Sequence, residues 1–421
     1  MSSAAAKLFA TNNYPNNANN PNSPNNTYKI INNQTNGEKM SWLIPLTQLD
    51  NEQKGILQSV RNSPGKNFWI TGYAGSGKSV LLIHIALNLK ERNPNARIAI
   101  VGFTRALVDQ LNTGIPFELK QSISLFTVYG FMQDYREWDF VLVDEVQDLK
   151  HDFFVKLSRI KAKVIAAGDM NQSIYDNTCP EADIIEYLDL DIRRLNIIHR
   201  LSRSGRRVAA PFCNDKAGFM SASLSSAVEL RPSLVSAKNR TEELKWLSET
   251  AEEYARKGYQ TAILLPTHEI IKNFIIDLCR VKKINAGFVK EKSPVQFYQE
   301  YYEDINFGLR NAGLNYRYLG NGAGDLREFR NSKQVLVMTW HSSKGLDFEV
   351  TFLPFLTSDA TIYAGNKPAE TLFFVALTRA REQMFLSYSN LKHRFLGMID
   401  SSAINKINAA AKSGSNQTLA F

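Results

Sequence analysis

Cysteine is nearly absent. The 421 residues hold three, Cys179, Cys213 and Cys279, widely spaced and without a CxxC pair. That usage argues against a disulfide framework and against a zinc site, and it predicts buried thiols in a reducing cytoplasm. Long apolar runs are also missing. Nothing approaches the roughly 20 residues of a membrane span, and the N-terminus has no basic start followed by an apolar stretch, so neither a membrane anchor nor a signal peptide is expected. Acidic residues are outnumbered, 41 against 50 Lys and Arg, for a net charge of +9. Such a surplus permits a polyanionic partner without requiring one.

Large apolar residues are scarce at both ends. Residues 1–40 carry TNNYPNNANNPNSPNNTYKIINNQTNG, rich in Asn and Pro. This stretch buries too little surface to offset its ordering entropy and is expected to be disordered. Residues 401–421 are small and polar, and a flexible tail is expected there. Between these ends the composition is that of a globular protein, and the length exceeds what one core fills, so two domains are expected, 41–194 and 195–400.

Within those domains strand-like runs alternate with helical stretches. Phe68–Thr71, Arg97–Phe103, Phe140–Glu145 and Lys163–Asp169 form one series of continuous apolar runs; Thr261–Pro266, Gln334–Trp340, Val350–Phe355 and Gln383–Ser389 form a second. Continuous rather than alternating runs predict parallel strands covered on both faces. Val80–Lys90, Asp152–Leu157 and Gln296–Asn311 read as helices. The fold class expected is α/β, with two parallel sheets in tandem.

One segment has the spacing of a phosphate cradle. GYAGSGKS, Gly72 to Ser79, fits G-x-x-x-x-G-K-[ST] between an expected strand and an expected helix. Gly72, Ala74, Gly75, Ser76 and Gly77 supply backbone N–H groups, Lys78 a charge for the outer phosphates, and Ser79 a hydroxyl for Mg²⁺. Such a loop needs an acid at the tip of a neighbouring strand. FVLVDE provides Asp144 to hold Mg²⁺ and Glu145 to polarise the attacking water. ATP and Mg²⁺ are the ligands expected. Two successive carboxylates favour hydrolysis over transfer to a small molecule.

DEVQD (Asp144–Asp148) followed by GDMNQSIY (Gly168–Tyr175) resembles motifs II and III of the superfamily 1A helicases, the UvrD/Rep/PcrA-like group. The other motifs of that family follow in order. LDNEQ (Leu49–Gln53) resembles the Q motif, GFTRAL (Gly102–Leu107) motif Ia, TVYGF (Thr127–Phe131) motif Ib, IIHRLS (Ile197–Ser202) motif IV, MTWHSSKGLDF (Met338–Phe348) motif V and FFVALTRARE (Phe373–Glu382) motif VI. The resemblance spans roughly residues 46–390. It implies two tandem RecA-like P-loop domains, with ATP and nucleic-acid clefts between them.

Roles follow from the resemblance residue by residue. Gln53 reads the adenine edge. Gln172 senses the γ-phosphate. Arg200 and Arg379 are arginine fingers from the second domain. Gly345 and Asp347 lie against the nucleotide, with Asp347 at a ribose contact where the family has Glu. His199 stands where the family has a Tyr stacked on adenine. Taken singly, either arginine in so basic a chain is most often a solvated side chain; the motif context assigns them. Phe103, Thr104, Tyr129, Tyr175, Trp340 and His341 are the implied nucleic-acid contacts, with Phe131 a weaker one, because a single strand needs aromatic faces for its bases. After Tyr175 the family has a stacking Trp; here Asp176 and Asn177 follow. Lys344 is expected at phosphate or at the nucleotide.

Short spacings imply that the family's large helical insertions are absent or reduced. The resemblance implies an ATP-driven translocase or helicase on single-stranded or tailed duplex DNA, moving 3′ to 5′. Two alternatives stay open: a DNA-gated ATPase switch that regulates a partner such as a nuclease, and a nucleotide-binding regulator without nucleic acid. The sequence leaves the oligomeric state open.

Overall fold

The computed structural model describes residues 42–225, 229–330 and 332–410. The Asn-rich segment expected to be disordered lies outside the described residues. Two all-parallel sheets organise the rest. The first contains β1 (Asn67–Gly72), β2 (Ile98–Gly102), β3 (Ile123–Thr127), β4 (Phe140–Val143), β5 (Lys163–Gly168) and β6 (Leu190–Leu195), in spatial order β3-β2-β4-β5-β1-β6. A short parallel pair, β7 (Ile197–Ile198) and β8 (Ser223–Leu224), follows. The second sheet contains β9 (Ser233–Ala237), β10 (Thr261–Leu265), β11 (Tyr316–Tyr318), β12 (Val335–Thr339), β13 (Phe348–Leu353), β14 (Ala380–Ser389) and β15 (Asn405–Asn408), in order β11-β12-β10-β13-β14-β9-β15.

All eight expected strands are present. Their apolar runs are buried because helices cover both faces: β2 and β10 have no exposed residue. Two of the expected helices extend slightly further, to Lys78–Arg92 and His151–Arg159, and the third starts two residues later, at Tyr298–Asn311. The strands not expected lie mainly at sheet edges. β6, LDIRRL, buries only Leu190 and Leu195 and turns its other residues partly or fully to solvent. The flexible tail placed at 401–421 is corrected: Asn405–Asn408 pairs with β9, so the ordered chain runs past Asp400.

Residues 197–224 join the two lobes, and their apolar side chains seat against the second. Phe212 meets Phe373 at 4.8 Å between ring centroids, and Phe219 meets Phe374 at 5.3 Å. Tyr73, from the first lobe, packs on Phe219 at 5.6 Å. The phosphate loop is thereby tied to the segment that carries Arg200. All three cysteines are buried and unpaired, as expected. No helix among the described residues is long and apolar enough to cross a membrane.

Candidate nucleotide site and nucleic-acid groove

The loop after β1 delivers its chain to helix Lys78–Arg92. Gly75 takes φ +80°, a region that side chains disfavour. A Cβ there would lie 2.6 Å from the Cβ of Arg200. The missing side chain lets the Arg200 segment sit directly on the loop, where His199 N–H donates to the Gly75 carbonyl at 2.9 Å. Lys78 Nζ donates to the carbonyls of Gly72 (2.6 Å) and Tyr73 (3.2 Å). Burial lowers its pKa, opposed by Asp169, Glu145 and Asp144.

β4 ends one residue before Asp144. The Ser79 hydroxyl donates to Asp144 Oδ2 at 2.6 Å. Burial and the adjacent Glu145 push the Asp144 carboxyl up to about 7, against the Ser79 hydrogen bond and Lys78. A hydroxyl and a carboxylate this close are the hard oxygen pair that Mg²⁺ prefers, so Ser79 and Asp144 fit the ion. Glu145 has φ +55°, a left-handed conformation that a non-glycine residue holds only when its surroundings enforce it. Its Oε2 accepts from Gln147 Nε2 at 2.5 Å. Burial raises this carboxyl, but Lys344, Lys78, Gln147 and Arg379 outweigh it and hold it below the usual range.

The second lobe completes the site. Arg379 is 2% exposed and donates to the carbonyls of Val375 and Leu346 and, across the lobes, to Gln172 Oε1 at 3.2 Å. Arg200 pairs with Asp347 at 2.6 Å and donates to the Thr378 carbonyl. Lys78, Glu145, Gln172, Arg200 and Arg379 line a single cavity of about 70 Å³. Small-molecule sites usually run to roughly 300–1,000 Å³, so this cavity is small for one.

Some expected residues are placed differently. Gln53 is 1% exposed; its amide accepts from Asp50 N–H and donates to the Ser76 carbonyl. It closes a capping box on helix Asn51–Asn62 and braces the phosphate loop rather than presenting an edge to adenine. Asp347 lines the cavity, but its carboxylate is engaged by Arg200. The His199 ring is held by Asp50 at 2.7 Å. Trp340 is a clear correction: it is 0% exposed and donates to the Leu264 carbonyl at 3.0 Å, so it is a core residue and not a nucleic-acid contact. Phe131 is likewise core. Tyr129 is exposed on its short helix, outside the groove lining.

The groove is a second cavity between the lobes, about 520 Å³, lined by Thr104, Tyr175, His268, Asn321, His341 and Tyr363 among others. Phe103 supports it from behind, 4.6 Å from the Tyr175 ring. Thr104 also caps helix Arg105–Thr113 through Leu107 N–H. Burial lowers the pKa of His341, and Lys344 adds to the effect. His268 was missed by the sequence reading; it hydrogen-bonds Tyr302 and Asn321 and stacks on Tyr298. The run GNGAG at Gly320–Gly324 was the available signal. Trp42, which lines the nucleotide cavity and donates to Thr113 Oγ1 at 2.8 Å, had no motif to announce it. Lys344 touches neither cavity's lining. It crosses the lobes to pair with Asp148 at 2.6 Å, both side chains at most 2% exposed, and it also donates to the Gln172 carbonyl.

Residues 56–178 match the AAA domain family, and residues 193–391 match the UvrD-like helicase C-terminal domain family. The chain belongs to the UvrD-like helicases of superfamily 1. The first match spans β1 to β5, and the second begins within β6 and spans β7 to β14 of this UvrD-like fold. Solved structures similar to it include the PRRSV helicase, at 14% identity over 82% of this chain and 55% of that one with TM-score 0.41. A DNA complex of the arterivirus nonstructural protein 10 helicase shares 14% identity over 78% and 62% of the two chains, TM-score 0.39. The C-terminal domain of a possible DNA helicase from Lactobacillus plantarum shares 10% identity over 49% and 98%, TM-score 0.33. This UvrD-like chain thus spans about half the length of the PRRSV helicase. No curated protein matches the sequence.

Proposed function

We propose that this UvrD-like chain is an ATP-driven translocase on single-stranded DNA, moving 3′ to 5′. The observation that carries the reading is the bond between Arg379 and Gln172. It joins a second-lobe cation to a first-lobe residue in the phosphate cavity. Three and four residues further on, at Tyr175 and Asp176, the same chain lines the groove. Movement of one lobe on the other is therefore felt at both sites through one short segment, a physical route for coupling.

The residues divide the work. Loop amides and Lys78 hold the outer phosphates. Ser79 and Asp144 hold Mg²⁺, which supplies charge neutralisation when bound. Glu145, kept ionised by the surrounding cations, orients a water and takes up its proton. Arg200, seated against the phosphate loop, and Arg379 stabilise charge that builds on the transferred phosphoryl group, and because Arg379 comes from the far lobe it does so only when the cleft is shut. Their permanent charge and planar donor fork suit that role. Arg379→Ala is expected to lower turnover about 10³-fold, in the range of other arginine fingers, with ATP affinity changed far less; steady-state kinetics beside binding of a fluorescent ATP analogue would show the split.

A biotinylated oligonucleotide carrying streptavidin tests the movement. The reading expects ATP-dependent displacement from the 5′ end and not the 3′ end. Displacement from the 3′ end would reverse the direction. ATP turnover that depends on DNA without displacement from either end would favour the DNA-gated switch. That second reading draws support from the short connections: only Gly114–Asp139 separates helix Arg105–Thr113 from β4, and this stretch itself supplies β3 and helix Val128–Met132.

A further inference from the structure

We infer that Tyr363 is a base-stacking platform of the groove, held over it by a clip between the lobes formed by Asp176 and Asn366. The inference rests on the strand-binding reading above. Tyr363 lies in the loop between β13 and helix Ala369–Leu377. Its ring is 70% exposed, while its neighbour Ala364 is 6% exposed and packed into the core. The backbone is thus anchored and the ring projects. Tyr363 lines the groove cavity together with Tyr175 and His341. Those two have ring neighbours already: Tyr175 sits 4.6 Å from Phe103 and 5.8 Å from His341. Tyr363 has no ring partner among the described residues, so it offers a free aromatic face to a base.

The loop does not hang loose. Asn366 N–H donates to Asp176 Oδ1 at 3.0 Å, and Lys367 Nζ reaches Ser173 Oγ at 3.4 Å. Gly365 has φ +62°, and a Cβ there would come 2.5 Å from Asp176 Oδ2. Only glycine lets the loop close this tightly on the other lobe. Asp176 carries a negative charge into a groove meant for a polyanion. That placement is unfavourable for phosphate unless the carboxylate has another task, and its bond to the loop supplies one. Tyr363 would then clasp the strand from the second lobe while Tyr175 supports it from the first.

Binding of a fluorescein-labelled oligodeoxythymidylate, read by anisotropy with the full chain, tests this. Tyr363→Ala is expected to raise Kd about tenfold, the effect of losing one base stack, and Tyr363→Phe and Tyr363→Trp to restore tight binding. Asp176→Ala is expected to raise Kd about threefold, with recovery in Asp176→Asn, which keeps the acceptor, and with no further loss in the Tyr363→Ala background. Thermal melting of Tyr363→Ala should follow wild type, since the ring is largely in solvent. Wild-type Kd in Tyr363→Ala, or a Phe variant as weak as Ala, overturns the stacking role. Tighter binding by Asp176→Ala overturns the clip. Failure of the wild-type chain itself to bind the oligonucleotide would instead remove the strand-binding reading on which this depends.

Discussion

Glu145→Gln is expected to bind ATP and to turn it over about 10²–10⁴ times more slowly, the usual contribution of a positioned general base. The argument is geometric before it is chemical. Glu145 is the residue after the Asp144–Ser79 pair, and its left-handed backbone turns it into the cavity that Lys78 and both arginines share. Four influences hold it ionised despite burial, so it can accept a proton at neutral pH. Glutamine keeps the size and the bond to Gln147 but cannot take a proton. Affinity should survive because Lys78 and the loop amides are untouched. Pre-steady-state hydrolysis beside binding of a fluorescent analogue measures both. Turnover at the wild-type rate would remove Glu145 from the chemistry.

Lys344→Ala is expected to cost about 3–5 kcal/mol, the penalty for stripping one partner from a buried ion pair. Asp148 would have either to stay charged without its partner or to take up a proton, where its side chain is 0% exposed. Urea unfolding followed by fluorescence would report the loss. The pH dependence has a definite sign. Burial pushes the Asp148 carboxyl up to about 6, with Lys344 opposing. The folded state then holds this proton more tightly than the unfolded chain, so this group's contribution to stability falls as pH rises from about 4 to 6. Without Lys344 the carboxyl rises further. The deficit of the variant should therefore be greatest above pH 6 and shrink as the medium is acidified. A constant deficit across that range would mean that Lys344 acts through packing alone.

The parts of the fold that could be read from sequence share a physical cause. A strand buried on both faces is a continuous apolar run, which is why Ile98–Gly102 and Thr261–Leu265 stood out. Edge strands such as β6 and β15 alternate or carry Asn and Lys, and they resemble loops until a neighbour pairs with them. The phosphate loop was legible because Gly72 to Ser79 and Asp144–Glu145 act through local spacing. Gln53 and Asp347 are engaged differently from expectation: Gln53 closes a local capping box with Asp50, while its bond to the Ser76 carbonyl and the Asp347–Arg200 pair are set by tertiary contact. Trp340 follows a strand whose register decides which way its side chain turns, and it turned into the core. Lys344 meets Asp148 across the lobes, and no pattern within either half predicts that pairing.

ATP hydrolysis measured with and without a single-stranded oligodeoxynucleotide tests the central claim, that the phosphate cavity and the groove are coupled parts of one motor. The account predicts that the oligonucleotide raises turnover at least tenfold, and that Lys344→Ala, if folded, loses much of that stimulation. Equal rates with and without the strand, under conditions where the strand is bound, would contradict it.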